Sequence, residues 1–202
     1  MTVWRGQLPL VLASESRARQ TLLANSGIDF EAVPANIDER AVQQDSGLTS
    51  PGDIAALLAR EKARMVSIDK PGRFVVGADQ TLSLGTKFFS KPVGRIQAAE
   101  QLSALAGRTH KLHSAVAVAR EGKILFDAVS VADMTMRRLS QPQIEAYLNE
   151  AGETVTSSVG AYQLERLGVH LFEYIEGDHF TILGLPLLQL FEFLRSERLL
   201  AI

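Results

Sequence analysis

The stretch VVGADQTLSLGTKFFSKP, residues 75–92, decides how the rest of the chain is read. With Phe74 before them, Val75 and Val76 read as a buried strand. Gly77 and Ala78 then remove bulk, and Asp79 and Gln80 appear at the strand's end. A loop of Gly, Thr and Ser follows, and Lys91-Pro92 closes it. A carboxylate at the end of an apolar strand, with a lysine returning nearby, is the arrangement a metal-assisted phosphate site uses. A capped strand end has the same look.

The 202 residues suffice for one core and stand at the edge of two small lobes. Hydrophobic residues make up 46% and charged residues 22%, an ordinary globular balance. A formal net charge of −2 gives no support to a surface that coats nucleic acid. The absence of cysteine excludes disulfides, thiolate catalysis and a zinc-thiolate site. No apolar run is long enough to span a bilayer, and Arg5 interrupts the N-terminus before it could act as an export signal. A soluble cytoplasmic protein is therefore expected. The lack of a GxxxxGK[ST] loop argues against kinase-like or GTPase-like chemistry.

Upstream of the central stretch, residues 8–12 fit a first strand. Ser14 or Ser16 can cap a following helix that carries Ala18, Leu22 and Leu23 on one side and stops at Gly27. A strand-to-helix turn with free N–H groups, hydroxyls and Arg19 is a candidate anion cradle. It reads equally as an ordinary N-cap with solvated arginines. Residues 28–33 fit a second strand, Asp38 or Glu39 is a candidate metal acid, and residues 43–50 read as a loop. Pro51 opens a helix expected to bury Ile54, Leu57, Leu58 and Met65, with Arg60 and Lys62 read as surface charges.

Downstream, a helix over 94–106 precedes a strand over 108–119, a hairpin turn at Glu121-Gly122-Lys123, and a strand over 124–136. Phe126, Val129, Val131 and Met134 are expected in the core. His110 and His113 fall on opposite faces of their strand, which makes them poor joint metal ligands. A helix over 139–148, a strand over 168–175, and a last helix carrying Leu187, Leu190, Phe191 and Leu194 complete the reading, with a tail expected to fray from Arg195.

Taken in order, Leu12-Ala13-Ser14-x-Ser16, residues 58–63 (LAREKA), Gly77-Ala78-Asp79, Lys91-Pro92, residues 105–110 (LAGRTH), Gly160-Ala161-Tyr162, Glu176-Gly177-Asp178 and residues 183–187 (LGLPL) resemble the Maf-like nucleoside triphosphate pyrophosphatases. The resemblance covers nearly the whole chain. It implies an α/β fold with a central mixed twisted sheet flanked by helices, elongated, with a cleft between two lobes, as in ITPase-like proteins. It implies a single domain over residues 1–202. The activity it implies is cleavage of a nucleoside triphosphate between its α and β phosphates, giving the monophosphate and pyrophosphate. It also implies a cytoplasmic homodimer. With no thiolate to favour zinc, Mg2+ or Mn2+ on oxygen ligands is the expected cofactor, and neither a nucleic-acid polymer nor a membrane is expected as partner.

Position by position, the resemblance makes Asp79, Lys62 and Lys91 catalytic. Ser14 and Arg19 bind phosphate, and Asp79, Asn36 and Asp38 stand at the metal. Two departures stand out. Arg17 and Ala18 replace the family's usual Pro and Arg, and Asn36 replaces the first acid of an acid-x-acid-acid stretch. Weaker metal binding, or compensation by Asp38 or Glu39, is expected from the second.

Three positions linked to base choice in the family fall on Ala18, Gln80 and Glu165. Gln80 and Glu165 match the pattern of members acting on 7-methyl-GTP rather than on dTTP and UTP; Ala18 stands where those members have Trp. A carboxylate at 165 can accept hydrogen bonds from N1–H and the exocyclic amine of guanine, whereas Ala18 offers no stacking platform for a cationic purine. The alternatives are a dTTP/UTP or broad-specificity pyrophosphatase, and a nucleotide-binding cell-division regulator with little catalysis.

Overall fold

The computed structural model describes residues 3–202 and has a mixed α/β architecture. Its strands are β1 (Leu10–Ala13), β2 (Phe30–Ala32), β3 (Val75–Leu84), β4 (Lys87–Phe89), β5 (Thr109–Arg120), β6 (Lys123–Met136) and β7 (Phe172–Glu176). They form one mixed sheet in the order β2-β1-β3-β5-β6-β7, with β4 beside β3. β1 is parallel to β2 and β3, while β4 and β7 run antiparallel to β3 and β6. The helices are α1 (Arg17–Asn25), α2 (Glu39–Ser46), α3 (Pro51–Asp69), α4 (Gly94–Leu105), α5 (Gln141–Ala151), the short α6 (His179–Ile182) and α7 (Leu187–Ser196). Two compact units emerge. One holds the chain up to Gln80 with 114–130 and 179–202; the other holds 81–113 and 131–178.

In the first unit the pleat sorts side chains onto two faces. Leu10, Leu12, Val76, Ala78, Val116 and Val118 join Leu22 and Leu23 of α1 and Leu187, Leu190 and Leu194 of α7 in one core. On the other face, Ala115, Ala117 and Ala119 meet Ala55, Ala56, Ala59 and Ala63 of α3, and Val66 packs with Val11, Ala13 and Val75. An interface of methyl groups lets α3 lie close to the sheet. At Gly77 there is no room even for a methyl: an added Cβ would sit 2.2 Å from the Ala59 carbonyl oxygen and 2.6 Å from the Ala63 nitrogen.

Several sequence expectations give way. β3 does not end at Asp79 but runs to Leu84, because Leu82 continues the buried pleat and pairs with Phe89 across a turn at Gly85. Residues 43–46 are helical, not a loop; Asp38 caps α2 and Gly47, in the left-handed region, ends it. That helix buries nothing, so it left no apolar period to read. Met65 is exposed and Val66 takes the inner position. Lys62 is buried rather than a surface charge, while Arg60 pairs with Asp127 at 3.0 Å. Val129 and Val131 point outward, since the pleat of β6 puts Ala132, Met134 and Met136 inside. Leu167–Leu171 is a 3-10 turn and the strand starts only at Phe172. The tail does not fray: Leu200 is buried and bridges to Trp4.

The second unit buries Leu102, Leu105, Leu112, Met134, Ile144 and Leu148. Gly160 and Ala161, both at positive φ, turn the chain so that Tyr162 enters this interior. Its hydroxyl lies 2.7 Å from His110 Nε2, and the His110 ring also packs on Phe172. His113 goes elsewhere, with Nε2 3.1 Å from Ser83 Oγ. Burial holds His110 down to about 4, so the folded protein keeps it neutral.

Gly77→Ala is expected to cost about 2 kcal/mol or more, as overpacking against backbone does, read as a lower urea midpoint. For His110 the folded pKa lies below the unfolded one. Its contribution is therefore full above the unfolded value near 6.5 and is lost as pH falls toward 4. Stability is expected to drop by about 2 kcal/mol between pH 7 and pH 5 from this group. In His110→Phe, urea unfolding at the two pH values should lack that drop.

Candidate active site

The alanine face of α3 also carries Lys62, three residues after Ala59 and one before Ala63, so it points at the sheet. Asp79 follows Val75 and Gly77 on the same side of β3. Lys62 Nζ lies 2.6 Å from Asp79 Oδ1 and 2.7 Å from Glu39 Oε1. Two carboxylates thus converge on one ammonium. Asp79 is buried and Glu39 is half exposed, so the trio opens to solvent on the Glu39 side. Burial pushes the Asp79 carboxyl above the usual carboxylate range; Lys62 and Arg19 pull it back in part, and Glu39 adds to the push. A base shifted upward is better matched to taking a proton near neutral pH.

On the opposite face of the sheet, Arg19 of α1 donates from Nε to the Gly184 carbonyl at 2.8 Å and from Nη1 to the Ala78 carbonyl at 2.7 Å. Burial lowers its pKa, and Asp79 and Glu39 counter that. Gln80 points the same way: Nε2 lies 2.8 Å from Ser114 Oγ and 3.1 and 3.0 Å from the Thr181 and Ile182 carbonyls.

At the first turn, Ser16 is the cap of α1, and the buried Ser14 accepts from the Ser16 N–H at 3.2 Å. Ala18 is half-buried on α1 and Asn36 is exposed. Asp38 spends Oδ1 on the N–H groups of Arg40 and Ala41, both at 3.1 Å. Glu39, read in the sequence as a candidate metal acid and as compensation for Asn36, is the acid that reaches Lys62. Its signal was a position in the first turn of a helix behind an Asp cap. Ser114, a lone hydroxyl opening the apolar run 115–119, is a second residue the sequence reading passed over.

Lys91 and Glu165 belong to the second unit, and both are exposed. Gln101 of α4 steadies the loop before Lys91, donating to the Ser90 carbonyl at 2.8 Å and accepting from the Gly160 N–H at 3.1 Å. Glu165 lies in the turn before the 3-10 segment, where the Arg166 and Gly168 N–H groups both reach the Gln163 carbonyl at 3.1 Å.

No cluster of three His, Cys, Asp or Glu suited to a metal occurs among the described residues. The donor chemistry still suits a hard divalent ion: Asp79 and Glu39 already share one cation. Magnesium takes one or two carboxylates and completes its shell with substrate phosphate and water. Asp38, with an oxygen committed to its cap, and the neutral Asn36 are less suited.

The sequence profile of the Maf-like protein family matches residues 9–197. A nucleoside triphosphate pyrophosphatase of Nitrobacter hamburgensis is 64% identical over 202 residues, covering all of both chains. One of Rhodopseudomonas palustris is 64% identical over the same length, again with full coverage. A 7-methyl-GTP pyrophosphatase of Brucella abortus is 52% identical over 192 residues, 94% of this chain and 96% of that one.

Removing the shared cation should harm the fold more than removing either acid. Lys62→Met strands two carboxylates and is expected to cost about 3 kcal/mol. Asp79→Asn leaves Lys62 with Glu39 and should cost less. Urea unfolding of the two variants in the opposite order overturns this account.

Proposed function

This chain belongs to the Maf-like protein family, and on that premise we propose that it hydrolyses a nucleoside triphosphate at the α–β bond, releasing the monophosphate and pyrophosphate. The observation that carries the reading is the buried Lys62 ammonium set between Asp79 and Glu39. In this reading Asp79 accepts or orients the proton of the attacking water, directly or through the metal. Lys62 holds the carboxylate still and offers positive charge to phosphate oxygens as they gain charge. Asp79 and Glu39 would hold Mg2+ or Mn2+, which when bound offsets phosphate charge and polarises a phosphoryl oxygen. Lys91 takes the part of a further phosphate cation and Glu165 that of a base reader; both are exposed side chains, open to a ligand.

Within that class, the substrate we infer is a purine of the 7-methyl-GTP kind. Gln80 and Glu165 support it, as does the name of the Brucella relative. Ala18 favours a second reading, a broad-specificity enzyme, because a methyl group offers no ring for stacking a base.

Pyrophosphate release from 7-methyl-GTP, GTP, dTTP, UTP and CTP, with Mg2+ or Mn2+ and with excess chelator, tests these statements together. Turnover is expected to be highest on 7-methyl-GTP and to vanish in chelator. A clear preference for dTTP or UTP overturns the base assignment, and full turnover in chelator overturns the metal. Asp79→Asn should fold and lose nearly all hydrolysis, by about 10³-fold or more; undiminished release would remove Asp79 from the chemistry.

A further inference from the structure

The two side-chain bonds of Arg19 end on neutral main-chain carbonyls. One belongs to Ala78, the residue before Asp79; the other belongs to Gly184, in the turn between α6 and α7. The residue after Asp79 is tied to the same turn. Gln80 Nε2 contacts the Thr181 and Ile182 carbonyls and Ser114 Oγ, and Ser114 in turn donates to the Thr181 carbonyl at 2.6 Å. Asp79 is therefore bracketed. The peptide on one side and the side chain on the other are both strapped to residues 181–184, from the face of the sheet opposite Lys62.

We propose that Arg19 is a positioning residue for Asp79 rather than a phosphate clamp, acting with Gln80 and Ser114 through a polar strap between residues 78–80 and 181–184. The proposal rests on the hydrolytic reading above. Bridging two carbonyls on separate segments needs the rigid planar fork of a guanidinium; an ammonium on a flexible stem carries the same charge without that geometry. A phosphate contact tolerates lysine where a point charge suffices, and its loss raises KM and weakens pyrophosphate binding. Arg19→Lys, read as kcat against KM and pyrophosphate inhibition, therefore separates the two roles. Ser114 supplies the second probe, because it is fully buried and uncharged and cannot bind a phosphate.

The test compares wild type, Arg19→Lys, Arg19→Gln and Ser114→Ala on the preferred triphosphate with Mg2+ or Mn2+. It reads kcat, KM, inhibition by inorganic pyrophosphate, and hydrogen exchange of the Gly184 and Leu185 amides, which are bonded within the turn to Thr181 and Phe180. Arg19→Lys and Arg19→Gln should both lose kcat by about 10- to 100-fold, the scale of a misplaced reacting group. KM and pyrophosphate inhibition should stay within about threefold, since ground-state binding is not what is lost. Ser114→Ala should lose kcat by about tenfold in the same pattern, and exchange at 184–185 should quicken in all three variants.

Rescue by Arg19→Lys overturns the proposal. So does a rise in KM and in the pyrophosphate inhibition constant for Arg19→Gln with Ser114→Ala silent. If the arginine variants do not fold, Ser114→Ala decides alone, and unchanged kcat with unchanged exchange refutes the strap. If the wild type releases no pyrophosphate from any nucleotide, it is the hydrolytic reading that fails. Exchange in the variants then still shows whether the strap holds the turn, and unchanged protection overturns it.

Discussion

The distance between α3 and β3 is the constraint on which the first unit depends. It is set by what is missing: Gly77 has no side chain, and Ala55, Ala56, Ala59 and Ala63 present only methyls to the alanines of β5. Close packing of small groups forfeits little contact, because the surfaces interdigitate at near-crystalline density. What it gains is reach. A lysine stem that would extend to solvent from a more distant helix instead ends on a carboxylate of the strand below it. The polar centre is a by-product of apolar spacing, and a bulkier pair at this interface would separate the two charges before touching either.

One ammonium serving two carboxylates leaves the trio with a formal net negative charge, while burial is what chiefly raises the pKa of its buried member. Such a centre is poor at holding an anion by itself and well suited to receiving another cation. Arg19 adds a positive charge from behind the strand without approaching the trio from its open side. With Arg19 counted, two cations face two carboxylates across the strand.

Much of this was legible in the sequence, for identifiable reasons. The apolar run into Gly77-Ala78-Asp79 announced a buried strand bearing a carboxylate, though not its continuation to Leu84, and Pro51 with Ile54 and Leu58 announced α3. The pairing of Lys62 with Asp79 was not legible from local pattern. Only the tertiary approach of two elements buries that lysine, and a charged residue on an amphipathic helix is ordinarily solvated. α2 escaped because it buries nothing. The outward Val129 and Val131 misled because β-branched residues favour strands on either face. The polar strap could not be read at all, since five of its bonds end on main-chain carbonyls, which leave no trace in residue identity.

The alternation along β3 has a consequence for how such a sequence can change over time. Asp79 and Gln80 are adjacent yet serve opposite faces, one toward α3 and the other toward α6. Substitution at either can be absorbed locally. Gain or loss of a single residue between Val75 and Asp79 cannot, because a one-residue slip exchanges the faces. It would turn the carboxylate toward Ser114 and the amide toward Lys62, and would carry Gly77 away from the one place that demands it. The segment is therefore closed to variation in length, a stricter condition than the demands Gly77 and Asp79 make one at a time.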